Sequence, residues 1–165
     1  MKKLHQVLKI SRQKNQVLYS INEGDLESVI DLIKEGLPPN STIKGFSLLT
    51  LAIWYGRFEI FNFLIEIGAS ITKPGNDHFV CAAVKWGRTD LVEMALNAGH
   101  NIHLKHKDTP TALQHAAYNN NFSMMKYLIE RGANKVDIDL RQFSWVRIHP
   151  DTKLILRNIG VEVPD

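Results

Sequence analysis

Apolar segments alternate with regularly placed glycines along most of the chain. The glycines form pairs with a fixed internal spacing: Gly24 and Gly36, Gly56 and Gly68, Gly87 and Gly99, and a fourth pair in which Asn120 takes the first place before Gly132. Successive pairs begin 32, 31 and 33 residues apart. Asparagine is the best substitute where the backbone needs positive φ. A period of this length predicts an array of similar structural repeats.

Each repeat is predicted to contain two helices. Between the paired glycines, apolar residues recur at helical spacing, as in Ile60, Phe61 and Leu64 of the second repeat. In the second to fourth repeats, an alanine recurs four residues before the first glycine or Asn120, namely Ala52, Ala83 and Ala116. A small residue there allows close approach of a neighbouring helix, and the glycine suits a C-terminal cap.

The two ends of the array depart from the internal pattern. In the first repeat, Ser28 and Asp31 stand where the second has Ile60 and Phe63, which predicts the polar outer face of a capping repeat. The apolar residues near the N-terminus predict a further short helix over that end. At the other end, a degenerate repeat is predicted, with helices over 139–148 and 153–160 separated by Pro150.

The segment Thr111-Ala112-Leu113-Gln114-His115-Ala116-Ala117 resembles the T-P-L-H-x-A signature of the ankyrin repeat. The resemblance implies an all-α ankyrin-repeat solenoid of stacked helix-turn-helix units, with about four clear repeats and a degenerate C-terminal capping unit. We expect a single domain over 1–165, with repeats at about 12–41, 42–72, 73–105 and 106–135 and the cap at 136–165.

The signature is incomplete in this chain. The position of the family's histidine is occupied by Leu18, Thr50, Cys81 and Gln114 in the four repeats, and its proline is replaced by Gln16, Leu48, Phe79 and Ala112. Because that histidine helps to tie neighbouring turns together in the family, we expect fewer such hydrogen bonds and a less rigid stack.

Composition and charge narrow the function only slightly. Apolar residues make up 44% of the chain and charged residues 22%, which is typical of a soluble globular protein. A single cysteine, Cys81, suits a reducing compartment, and the basic start lacks the unbroken apolar stretch of a signal peptide. The sequence contains no run of 18 apolar residues, so no predicted helix could cross a membrane. These patterns predict a cytoplasmic protein.

The net charge of +3 favours no partner class, because 17 acidic residues are interspersed with 20 basic ones. A nucleic-acid binder usually collects its basic residues on one face, so nucleic acid is not expected as a partner.

Motifs for catalysis are missing from the sequence. The chain has no phosphate-binding loop, no G-x-S-x-G elbow and no H-E-x-x-H helix, so we predict no enzyme and no cofactor. Three histidines, His100, His103 and His106, could in principle bind zinc. Residues three apart in a loop do not converge by default, so we favour a basic recognition loop that includes Lys105 and Lys107.

Aromatic residues gather at the ends of the first helices, in the pairs just before each first glycine. We predict that residues of these pairs, here called the helix-end residues, face the concave groove and bind a partner. They are Glu23, Trp54, Tyr55, Lys85, Trp86, Tyr118 and Asn119. Tryptophan and tyrosine are enriched in binding hot spots. The structural alternative is that these rings pack between repeats. Loop tips extend the predicted surface through Lys44, Phe46, Asp77 and Lys107.

These patterns favour a non-catalytic module that binds another protein, as the family resemblance also implies. One specific form is an inhibitor, such as an immunity protein that neutralises a toxin or enzyme. Two alternatives from other classes remain open. The aromatic residues with Glu23 could form a cage for a cationic ligand or methylated lysine, and the histidine loop could carry a metal or an enzymatic site.

Overall fold

In a computed structural model, the protein is described over residues 2–104, 110–134 and 150–158. The described residues form nine helices and one two-stranded sheet. In chain order the elements are α1 (Lys2–Glu23), α2 (Leu26–Lys34), β1 (Thr42–Ile43), β2 (Phe46–Ser47), α3 (Leu48–Trp54), α4 (Phe58–Glu66), α5 (Phe79–Lys85), α6 (Thr89–Asn97), α7 (Ala112–Tyr118), α8 (Phe122–Glu130) and α9 (Pro150–Asn158). The predicted all-α class is confirmed.

The chain divides into two compact units, Met1–Ala82 and Ala83–Asp165. In the N-terminal unit, α1 pairs with α2 and α3 with α4, and α3 also packs on α1 while α2 packs on α4. Ala52, in the middle of α3, is completely buried. This agrees with the prediction that a neighbouring helix approaches closely at this position of the repeat. The single-domain organisation stays a prediction.

In the C-terminal unit, α7 pairs with α8. A capping box starts α7, because the Thr111 hydroxyl accepts from the Gln114 backbone while the Gln114 side chain accepts from the Thr111 backbone. Ala83 and Ala116 are fully buried, like Ala52 in the other unit. The recurring alanine is therefore a core position in all three repeats that carry it.

The glycine pattern marks the helix ends. Gly24, Gly56 and Gly87 follow first helices with φ of +82°, +70° and +66°, and Asn120 takes the same conformation at +51°. The glycines that end the second helices are also in the left-handed region. The prediction that Asn120 replaces a glycine at a positive-φ position is confirmed.

The chain ends differ from expectation in one respect. The N-terminal residues do not form a separate short helix, because α1 runs unbroken for 22 residues through a segment without glycine or proline. At the other end, α9 begins at Pro150, which is tolerated in a first helical turn. The helix predicted over 139–148 lies outside the described residues.

Candidate partner-binding surface

In the N-terminal unit, two neighbouring helix ends carry three of the predicted binding residues. Helix α1 ends at Glu23, and α3 ends at Trp54 with Tyr55 as its C-cap. The Arg57 side chain donates from Nε to the Asn22 carbonyl oxygen over 3.1 Å and so ties the start of α4 to the end of α1. Glu23 is exposed, whereas Trp54 and Tyr55 are half-buried. This half-burial lies between the anchor and the packing interpretations.

The hairpin between α2 and α3 positions the first loop-tip residues. Strands β1 and β2 are antiparallel, and Lys44 and Gly45 form their turn with φ of +50° and +87°. Two positive φ values are what a tight two-residue hairpin turn requires. Lys44 is exposed at this tip, as predicted.

Phe46 lies just after the turn and is neither a free anchor nor a core residue. Its ring centroid lies 4.9 Å from that of His78, and the side chain is half-buried. Asp77, beside His78, is exposed. The hairpin and the loop before α5 therefore present Lys44 and Asp77 to solvent and cover part of Phe46.

A buried hydrogen-bond network fixes the base of this hairpin. The Ser47 and Thr50 hydroxyls donate to Asn76 Oδ1 over 2.5 Å and 3.1 Å. The Asn76 amide donates to the carbonyl oxygens of Ser70 and Lys73, over 3.2 Å and 2.7 Å. Asn76 is only 2% exposed. Side chains from one repeat are therefore held by the loop that leads into the next.

This network corrects the expectation of fewer hydrogen bonds between neighbouring turns, at least for the second repeat. Thr50 stands at the family's histidine position and reaches Asn76 instead. Sequence reasoning missed Asn76 because it considered the loop for its exposed tip. The available signal was a hydroxyl at the histidine position, which needs a buried partner.

In the C-terminal unit, α5 ends at Lys85 and is followed by Trp86, whose side chain is 46% exposed. The Lys85 ammonium lies 5.5 Å from the centre of the Trp86 ring, within reach of a cation–π interaction. Of the four aromatic helix-end residues, Trp86 is the most exposed.

The end of α7 lies beside the end of α5. Asn119 Nδ2 is 3.5 Å from the Lys85 carbonyl oxygen and is exposed, and Tyr118 precedes it half-buried. Burial raises the pKa of the Tyr118 hydroxyl. The contact between Asn119 and Lys85 thus joins the two helix ends within this unit, and Tyr118 and Trp86 are the chain neighbours of these two residues.

The histidine loop is described only in part. His100 is half-buried, His103 is exposed, and the His103 backbone N–H donates to Asn101 Oδ1 over 2.8 Å. His106, Lys105 and Lys107 lie outside the described residues. Over the ranges 2–104, 110–134 and 150–158, no three histidine, cysteine or acidic side chains are grouped as metal ligands.

Comparison with known proteins adds independent information to this geometry. A family model described as ankyrin repeats, in three copies, matches residues 79–146. A protein of Rickettsia felis named as an ankyrin repeat protein is 26% identical over 70% of this chain and 41% of its own length. The chain is an ankyrin-repeat protein. Ankyrin repeats are generally protein–protein interaction modules, and the family is generally non-catalytic.

Other relatives are much larger proteins. The E3 ubiquitin-protein ligase hecd-1 of Caenorhabditis elegans is 29% identical over 64% of this ankyrin-repeat chain, but the match covers 4% of the ligase. Alpha-latroinsectotoxin-Lt1a of Latrodectus tredecimguttatus is 31% identical over 67% of the chain and 8% of the toxin. The chain thus spans less than half the length of each of these relatives. Within its described residues, no helix is both long and apolar enough to cross a membrane.

Proposed function

We propose that this ankyrin-repeat chain binds a partner protein through the helix-end residues, with Trp86 as the main anchor. The observation that supports this most directly is that Trp86 is 46% exposed. It directly follows α5, in which all residues before Lys85 are buried. A large aromatic ring left in water loses the free energy that burial against a partner would recover.

The surroundings of Trp86 supply the polar contacts that a binding site needs. Lys85 is exposed over the Trp86 ring, Asn119 is exposed and contacts the Lys85 backbone, and Tyr118 next to Asn119 is half-buried. An aromatic anchor ringed by polar groups is the usual composition of a binding hot spot. For the N-terminal unit by itself, we propose contacts from Trp54, Tyr55 and Glu23, with Lys44, Phe46 and Asp77 as loop-tip contacts. Lys107 is proposed from the sequence alone.

A cage for a cationic ligand is less well supported than a protein interface. The chain's own Lys85 ammonium already lies near one face of the Trp86 ring. A ligand cation on that face would have to displace it against like-charge repulsion.

The test is a comparison of two variants of the same unit. Purified wild-type protein would first be used to isolate a partner, whose affinity for Trp86→Ala and Met94→Ala would then be measured by calorimetry. Met94 is a suitable control because it is 41% exposed but lies on the second helix of its repeat. We expect a loss of at least about 30-fold for Trp86→Ala and little change for Met94→Ala.

Equal losses, or no loss with Trp86→Ala, would reject the proposed site. The more specific form of the proposal is that binding inhibits a toxin or another enzyme. An activity assay of the isolated partner with increasing amounts of this protein tests that form, and unaltered partner activity would reject it.

A further inference from the structure

Helix α1 carries an exposed stripe of side chains, and none of the helix-end residues belongs to it. Leu8 and Tyr19 are 53% and 68% exposed, and Arg12 and Asn15 lie exposed between them. Positions 8, 12, 15 and 19 follow steps of four, three and four residues, which places them on one face of a helix. The opposite face is the packed one, with Val17 and Ile21 completely buried among its residues. The stripe is therefore free to contact another molecule.

The charge on α1 is positive up to its last residue, Glu23, and the Glu35 carboxylate accepts a hydrogen bond from Gln13 Nε2 over 3.3 Å on the packed side of the helix. The first 22 residues contain no aspartate or glutamate. Arg12 and Lys14 form no ion pair with any residue that the structure describes, and Lys9 donates to the carbonyl oxygen of Glu35 over 3.0 Å rather than to a carboxylate. A partner that brings carboxylates to this face would gain favourable charge interactions without breaking an ion pair within the described part of the chain.

The spacing of the stripe residues along α1 indicates that the partner is a helix. Steps of four and three residues are those of the seam along which two helices pack side by side. Leu8 and Tyr19 are separated by a rise of roughly 16 Å along the helix, enough for several contacts with a second helix. An anionic membrane fits less well, because insertion needs a broad apolar face and here Arg12 and Asn15 interrupt it.

We propose that an acidic amphipathic helix of a partner protein packs along the α1 stripe, defined by Leu8, Arg12, Asn15 and Tyr19. Apolar side chains of that helix contact Leu8 and Tyr19, and a carboxylate pairs with the Arg12 guanidinium. This surface consists of residues outside the proposed helix-end site, so the two proposals can fail separately.

The probe for the test is a fluorescent synthetic peptide of about three heptads, with leucine at the seam positions and glutamate at the flanking positions. Its binding to the full chain would be measured by fluorescence anisotropy. We expect binding that weakens with added salt and falls at least about 10-fold in Arg12→Glu. Tyr19→Ala and Leu8→Ala should also weaken it.

Matched controls separate the stripe from overall charge and from general exposure of apolar groups. Lys34→Glu makes the same change in net charge at an exposed position of α2, and Leu154→Ala removes a leucine of similar exposure, 59%, on α9. Both variants should bind the peptide like wild type, as should Trp86→Ala. Circular dichroism should show that Arg12→Glu melts like wild type, because Arg12 is exposed and forms no ion pair with the residues that the structure describes.

Three results would overturn the inference. The first is that the peptide does not bind at low salt. The second is that Lys34→Glu weakens binding as much as Arg12→Glu, which would indicate attraction by overall charge. The third is that vesicles containing phosphatidylserine, or a single-stranded oligonucleotide, bind in an Arg12-dependent manner while the peptide does not, which would assign the stripe to another class of partner.

Discussion

Asn76 joins polar groups from two repeats at the base of the β1–β2 hairpin. Its side-chain oxygen accepts from Ser47 and Thr50, and its amide donates to two backbone carbonyl groups. All three side chains are buried, so none can exchange these bonds for water. In this repeat, the hydrogen bond between Thr50 and Asn76 thus connects neighbouring turns in place of the histidine that the family uses.

We expect Asn76→Ala to lower the free energy of unfolding by about 2–4 kcal/mol, because it leaves buried hydroxyl and carbonyl groups without their partner. Urea denaturation measures this change. Asn62→Ala is the control, since Asn62 is exposed on α4 and its replacement should change stability by less than about 0.5 kcal/mol. Similar midpoints for the two variants would show that the network adds little stability.

Cys81 gives a second residue-scale prediction. Burial raises the pKa of its thiol from 9.0 to about 11. Between these values the unfolded chain releases the proton and the folded chain keeps it, so the stability associated with this group is complete below pH 9.0 and is lost as pH rises toward 11.

The measurement is the stability of wild type and Cys81→Ala at about pH 8 and about pH 10.5. We expect wild type to lose about 1–2 kcal/mol more than the variant over this interval, since lysines and tyrosines titrate in both proteins. Parallel pH profiles of the two proteins would contradict a buried, protonated thiol.

At the scale of elements, the glycines predicted where the helices inside the array end. The repeat pattern did not predict the length of the first helix. Gly56 and Asn120 end first helices because their backbone adopts positive φ, a local requirement that residue type reveals. The length of α1 depends instead on whether its N-terminal turns continue into the first repeat. Periodicity does not encode that continuity, so one helix was predicted as two.

The buried alanine of α3 provides a test of packing between elements. Helix α3 packs against both α1 and α4, and Ala52 is completely buried within it. We expect Ala52→Leu to destabilise the protein by about 1–3 kcal/mol or more, because the added atoms have no space between packed helices. Thermal unfolding followed by circular dichroism measures the loss.

Asn62→Leu adds a leucine at an exposed position of α4 and serves as the control. Its melting temperature should remain close to that of wild type. If Ala52→Leu melted equally late, the space beside α3 would be larger than its burial indicates. The same reasoning applies to Ala83 and Ala116, which occupy the equivalent position in later repeats.

At the scale of the whole molecule, the sequence predicted the positions of the helix-end residues but not their exposure. The repeat register alone placed Trp54, Trp86 and Tyr118 next to a helix end. The two tryptophans hold different positions relative to the glycine, since Trp54 lies two residues before Gly56 and Trp86 directly before Gly87, and Trp54 is half-buried whereas Trp86 is nearly half exposed.

This difference leads to opposite expectations for the two tryptophans. Trp54→Ala should lower the free energy of unfolding by about 1–3 kcal/mol, less than a fully buried tryptophan would cost, because part of the ring is packed. Trp86→Ala should cost less than about 1 kcal/mol of stability, because nearly half of the residue is already exposed to solvent. Its effect should instead appear in partner affinity, as a loss of at least about 2 kcal/mol. Chemical denaturation and calorimetry on the same preparations measure both quantities. If Trp86→Ala unfolds as early as Trp54→Ala, its ring is a packing element and the loop tips around Lys44 and Asp77 become the stronger candidates for partner binding.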